Sequence, residues 1–148
     1  MNYKIRFAIL EDAPEIVRLI KELVNLSGNK TTLNEELVKD YLQTPDHHIL
    51  VAQSSTGSVV GLTSYMYRKN LQHNGRICQL DDLVVNWGHQ NRGLGSALLQ
   101  QVIKNSRQAG CVAILLVTSK ENQAAQRFVK QHGFVDGGLL MDQHLTKG

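Results

Sequence analysis

One segment in the middle of the chain restricts its fold more than any other. Leu80-Asp81-Asp82-Leu83-Val84-Val85 closes a strand-like run, and Asn86 to His89 make a short polar loop. Gln90-Asn91-Arg92-Gly93-Leu94-Gly95-Ser96-Ala97-Leu98-Leu99 then opens a helix on a segment with two glycines. At such a junction the first helical amides have no partner within the helix, and the helix dipole favours negative charge there. Glycines remove side chains where phosphate oxygens must come close to the backbone. The segment therefore asks for a phosphate or pyrophosphate. It is not a P-loop, because G-x-x-x-x-G-K-[ST] is missing. It is not a dinucleotide fingerprint either, since it follows several strands and lacks the third glycine.

The flanking sequence sets this junction in a mixed α/β order. Tyr3 to Ala8 reads as a strand. A helix follows with Asp12 as N-cap, Pro14 in the first turn and Glu15 closing a capping box. Ile16, Leu19, Ile20, Leu23 and Val24 give it one apolar stripe. Thr32 and Glu35 repeat the capping pattern before Leu33, Leu37, Val38, Tyr41 and Leu42, and Thr44-Pro45 stops that helix. Strands are expected over His48–Gln53, Val59–Tyr67 and Arg76–Val85, with Asn74-Gly75 as a turn. The glycine-opened helix runs to Gly110. Cys111 to Thr118 is nearly all apolar, as in a strand covered on both faces. A helix from about Asn122 to Gln131 and strand-like chain from Phe134 complete the order β-α-α-β-β-β-α-β-α-β-β. This predicts one domain over residues 1–148, with a twisted, mostly antiparallel sheet of six to seven strands flanked by about four helices.

Composition removes several classes. The chain has 148 residues, 42% of them hydrophobic and 20% charged, which is ordinary for a globular domain. No apolar run is long enough to span a membrane, and the start lacks a signal-peptide pattern, so a cytoplasmic location is expected. Two cysteines, Cys78 and Cys111, suit buried thiols and not a disulfide framework or zinc site. The net charge of +3 arises from 16 basic and 13 acidic residues without a basic cluster. With 5% aromatics as well, nucleic-acid binding is not expected. The six histidines show no metal-ligand spacing, so no metal is expected.

Position, spacing and element order together resemble the GCN5-related N-acetyltransferase (GNAT) superfamily. The family's strand-then-[Gln/Arg]-x-x-Gly-x-[Gly/Ala] signature is matched by Leu83-Val84-Val85 and Gln90 to Gly95. Its later signature is matched by Asn122, Ala125, Phe128 and Gly133-Phe134. The resemblance implies an acyl-coenzyme A N-acyltransferase-like fold with acetyl-coenzyme A as cosubstrate. It implies that the loop amides of Gln90, Asn91, Arg92, Gly93, Leu94, Gly95 and Ser96 hold the pyrophosphate. Leu83, Val84 and Val85 would lie beside the pantetheine arm, and Asn122 would contact the cofactor while also serving as an N-cap. A homodimer is frequent among such proteins.

Amine attack on a thioester needs the neutral amine, whereas an alkyl amine with a pKa of about 10 is mostly protonated at neutral pH. Asp81 and Asp82 are the candidate bases, with Asp81 slightly favoured, and a regular strand would aim them at opposite faces. Their other reading is structural, or as an attraction for a cationic substrate. Gln79 stands where histone-type members carry their base. Val129 stands where the family carries a tyrosine general acid; Tyr65, Tyr67 and His132 are the substitutes in view. The implied reaction is direct acetyl transfer to a primary amine of a small metabolite. Acetylation of a protein lysine or N-terminus and a non-catalytic acyl-coenzyme A sensor are the alternatives.

Overall fold

The computed structural model describes residues 2–146. These residues form two compact units, one up to Leu116 and one from Val117. In the first, β1 (Lys4–Phe7), α1 (Ala13–Leu26), α2 (Glu35–Gln43), β2 (His47–Gln53), β3 (Val59–Asn70), β4 (Gly75–Val85), α3 (Leu94–Gln108) and β5 (Ala113–Leu116) follow one another. Short 3-10 turns at Leu10–Asp12 and Trp87–His89 precede α1 and α3. The strands make one sheet in the order β1-β2-β3-β4-β5. The first three junctions are antiparallel and β4–β5 is parallel, as a helical crossover through α3 requires.

Periodicity explains the layers. The apolar stripe of α1 buries Ala13, Ile16 and Leu19 against Val38 of α2, Ile49 and Val51 of β2, Leu62 of β3 and Val84 of β4. Strand side chains alternate, so the neighbours of Leu62 face the other side, where α3 packs its fully buried Leu98, Leu99 and Val102. Gly61 permits that approach. A Cβ there would lie 3.1 Å from the Val84 carbonyl oxygen and 3.4 Å from Leu98.

Three expectations about strands differ from the structure. The sheet has five strands and not six to seven: among the described residues, none beyond Leu116 enters a ladder. The chain after Phe134 has apolar residues, but Asp136-Gly137-Gly138 interrupts it, with φ +136° at Gly138, and Val135, Leu139, Leu140 and Met141 are exposed. A strand is made by pairing, which composition does not supply. The stretch 111–118 forms strand only over Ala113–Leu116, half-buried throughout, with Val112 and Val117 exposed.

Neither capping box forms as expected. Asp12 does hold the N-cap position of α1, but its side chain makes no cap bond to that helix; its carboxylate takes Arg6 of β1 at 2.7 and 3.0 Å and the Ile9 amide at 2.8 Å. Burial opposes the Asp12 charge, but Arg6 and the Ile9 amide outweigh it and hold the carboxyl below its usual range. The α2 cap is Asn34, accepting the Leu37 amide at 2.9 Å, in place of Thr32. In the second unit, α4 (Gln123–Gln131) is capped by Asn122, whose side-chain oxygen accepts the Ala125 amide at 3.0 Å.

Candidate active site

The site residues of the first unit follow one another along β4 and into α3. β4 has two different halves. From Ile77 to Leu80 it pairs with β3 on one side and with β5 on the other, the parallel ladder ending at Leu80 opposite Leu116. From Asp82 to Val85 it pairs with β3 alone, and among the described residues no strand lies along its outer edge. The change comes at a β-bulge: Tyr65 faces Leu80 and Ser64 faces Asp82, so Asp81 is the extra residue. A bulge breaks the two-residue alternation and re-aims side chains. Asp81 and Asp82 accordingly line one and the same cleft, where a regular strand would have sent them to opposite faces.

That cleft, of about 170 Å³, lies between the first two helices and the sheet. α1 contributes Ile16 and Ile20, α2 contributes Leu37 and Tyr41, and the strands contribute Ser64 with the two aspartates. The Ser64 hydroxyl donates to Asp82 Oδ2 at 2.6 Å. Asp81 forms no hydrogen bond through its carboxylate among the described residues. Partial desolvation and the neighbouring Asp82 charge raise its proton affinity above the usual carboxylate range, against a lowering contribution from His47. The Tyr41 hydroxyl donates to the Tyr65 carbonyl at 3.1 Å. Its ionisation is pushed far up by burial and by the Asp81 and Asp82 charges, so it stays a neutral phenol.

After Val85 the chain crosses β3 once more, the Asn86 amide bonding the Val60 carbonyl at 2.8 Å. Asn91 and Gly93 both adopt left-handed backbone, at φ +62° and +77°. Gly93 is the N-cap of α3, and the first intrahelical bond is the Ala97 amide to the Gly93 carbonyl. The amides of Leu94 and Gly95 thus precede that bond, at a helix start whose dipole favours an anion. The Leu94 side chain is buried, which anchors the turn, while Gln90 to Gly93 are exposed. No atom lies within 4 Å of where a Gly93 Cβ would project. The space beside Gly93 is therefore open, and a helix start of this kind suits an anion such as a diphosphate.

The loop is tethered from below. The Arg92 guanidinium donates to Tyr3 Oη at 3.0 Å, and Tyr3 Oη lies 2.8 Å from His89 Nδ1. The Gln90 side-chain amide donates to the Val85 carbonyl at 3.1 Å. Trp87 is 78% exposed beside this loop. Sequence reasoning missed the tether, and it missed Ser64 and Tyr41: a helix-face tyrosine reads as core, and Ser64 meets Asp82 only once the register is known.

Asn122 belongs to the other unit, where it caps α4, and Val129 is half-buried on that helix. His132 is the C-cap of α4 with its ring 5.1 Å from Phe128. Tyr65 is fully buried with its hydroxyl accepting from Asn105 of α3, and neither Tyr65 nor Tyr67 lines the cleft. Among the described residues no group of three or more His, Cys, Asp or Glu is placed to hold a metal. Among the same residues no helix is long and apolar enough to cross a membrane.

Comparison with known proteins gives these features a context. The chain is 28% identical over 131 residues to the aminoalkylphosphonate N-acetyltransferase of Salmonella typhimurium, covering 88% of this chain and 84% of that protein. It is 28% identical over 100 residues to the probable glucosamine 6-phosphate N-acetyltransferase 2 of Oryza sativa, covering 65% of this chain but only 58% of the rice protein. The crystal structure of glucosamine-6-phosphate N-acetyltransferase from Arabidopsis thaliana superposes with a TM-score of 0.82 at 21% identity. That match covers 99% of this chain and 100% of the other, and it shows a shared fold. The acetyltransferase (GNAT) family model matches residues 15–134, from the first helix through the glycine-capped junction to Phe134. By that match, the chain belongs to the acetyltransferase (GNAT) family.

Proposed function

We propose that the chain moves an acetyl group from acetyl-coenzyme A directly to the primary amine of a small metabolite. The observation that carries the reading is the course of β4. A segment that among the described residues pairs with β3 alone leads from an acidic pair in a cleft to a helix start with open space beside Gly93. Members of the family use acetyl-coenzyme A, and the named relatives are N-acetyltransferases of small amines.

When bound, acetyl-coenzyme A supplies an acyl group activated by a thiol leaving group. The amides of Leu94 and Gly95 would hold the diphosphate, with Gln90 to Gly93 and Ser96 beside it. The main chain of Leu83, Val84 and Val85 would flank the pantetheine arm. Asp81 would take one proton from the acceptor's ammonium, the neutral nitrogen would form the C–N bond as the C–S bond breaks, and the departing thiolate would take up the second proton that the nitrogen sheds on becoming an amide. Its raised proton affinity brings it closer to working pH, where a general base is most effective. Asp82, fixed by Ser64, keeps a second negative charge beside the cation. A thiol with a pKa of about 8.5 leaves without a dedicated acid, which accommodates Val129.

The same reading makes the chain cytosolic, in keeping with free Cys78 and Cys111, and a homodimer. Thiol release from acetyl-coenzyme A in the presence of an amine panel tests the activity. Amine-dependent release is expected. Tight binding in calorimetry without release on any amine would make the chain a sensor, the outcome Val129 favours, and an absence of binding would overturn both.

A further inference from the structure

We infer that the acceptor is a compact, apolar primary amine with no anionic group, seated in the cleft between α1, α2 and the sheet with its ammonium at Asp81 and Asp82. The inference rests on the transferase reading above and narrows it to a substrate class. It follows from what lines the cleft and what does not. Ile16, Ile20, Leu33, Leu37, Ile49 and Leu62 make the body of the cleft apolar. Its polar groups are gathered at one end: the two carboxylates, Ser64 and the neutral phenol of Tyr41, with Thr31 the one further hydroxyl.

Among the described residues no Lys, Arg or His lines it. The cations nearest in sequence are engaged or turned outward. Arg18 of α1 is held by Glu15 at 2.6 Å and Glu22 at 3.1 Å, and Lys21, Lys30 and Lys39 are exposed. His47 faces Tyr41 edge-on and bonds the Pro45 carbonyl at 2.9 Å. A phosphate or phosphonate on the acceptor would enter this cleft without a cationic partner and beside two carboxylates, which repel it. A second ammonium at the far end would lose its hydration against leucines and isoleucines.

Size agrees with one small body. A cavity of about 150 Å³ lined by aliphatic side chains takes up a benzene ring, and the cleft here is about 170 Å³. One ring or a short branched chain, carried on a methylene or two from the nitrogen, satisfies both the apolar wall and the acidic end.

The experiment compares kcat/KM, by coenzyme A thiol release, for 2-phenylethylamine and 3-methylbutylamine against 2-aminoethylphosphonate, glucosamine 6-phosphate and spermidine. The apolar monoamines should lead by about thirtyfold, the equivalent of roughly 2 kcal/mol. A lead for any anionic amine or for spermidine overturns the inference while leaving acetyl transfer intact. If none of the amines is acetylated, the transferase reading itself falls. Leu37→Arg locates the effect, because Leu37 lines the cleft yet is 56% exposed and tolerates a cation. It should shift the ratio about tenfold toward 2-aminoethylphosphonate. An unchanged ratio removes the acceptor from this cleft.

Discussion

The two halves of β4 belong to one strand and have opposite duties. Ile77 to Leu80 is paired on both edges, and Ile77, Cys78 and Leu80 are buried. Ladders on both sides leave that half no open edge to offer a ligand. Asp81 to Val85 keeps β3 but loses β5, and its side chains are mostly exposed or half-buried. The bulge at Asp81 separates them and does two things at once: it ends the parallel ladder, and it turns a second carboxylate into the cleft that already holds Asp82. An interrupted strand thus makes both the edge and the acid pair, which a perfect strand would deny. Edges left open are normally a liability, and a ligand that pairs with them is one remedy.

If the second half is the working half, the largest effect lies at its far end. Gly93→Asp should weaken acetyl-coenzyme A binding about a hundredfold or more in titration calorimetry, by setting a negative charge over the helix start and forcing a side chain into left-handed backbone. Gly93→Ala, which adds only the backbone strain, should lose far less; equal losses would assign Gly93 a structural duty alone. Asp81→Asn comes next, with a fall of about a hundredfold in kcat/KM near neutral pH. The sign with pH is defined. In the parent, activity rises as Asp81 deprotonates, at a pH above the ordinary aspartate range because desolvation and Asp82 favour the protonated form. The variant depends on the small fraction of free amine, which grows about tenfold per pH unit up to the amine pKa. The deficit is therefore greatest at low pH and shrinks toward alkaline pH. A constant ratio across pH would leave Asp81 as an attractor of cations and not a base.

The helix start was readable in sequence because it is local: two glycines and a polar loop after an apolar strand suffice. The order of the first unit was readable for the same reason, since Ile16 and Leu19 repeat at helical spacing wherever they end up packing. What failed was tertiary. Asp12 sits at the N-cap position as its sequence suggests, but Arg6 of β1 claims the carboxylate that would have made the cap bond. The acid pair looks split between faces until the register with β3 shows one residue too many. The cleft was invisible because two helices and three strands build it, and no window of the chain contains Tyr41, Ser64 and Asp81 together.

A smaller effect tests how the open half is supported. Gly61 of β3 pairs with Val85 of β4, and α3 leans on it through Leu98. Gly61→Ala brings a methyl against the Val84 carbonyl and should cost about 1–3 kcal/mol in chemical denaturation, with the midpoint moving and the slope unchanged. A neutral result would show that α3 can slide, and the placement of its first turn would then not depend on β3.

The smallest effect belongs to the closed half. Cys78 is fully buried between β3 and β5, and burial pushes its thiol up to about 11. At pH 8 that leaves a thiolate fraction of about one in a thousand, and the sulfur has no access to solvent in any case. Iodoacetamide at pH 8 should therefore leave Cys78 unmodified in the folded protein, read by peptide mass spectrometry, and modify it fully after denaturation. Cys78→Ala should keep kcat/KM within about twofold while losing roughly 1 kcal/mol of stability, because only a buried sulfur's packing is removed. A large loss of turnover in Cys78→Ala would mean that the first half of β4 reaches the chemistry. The division at Asp81 would then be one of shape and not of duty.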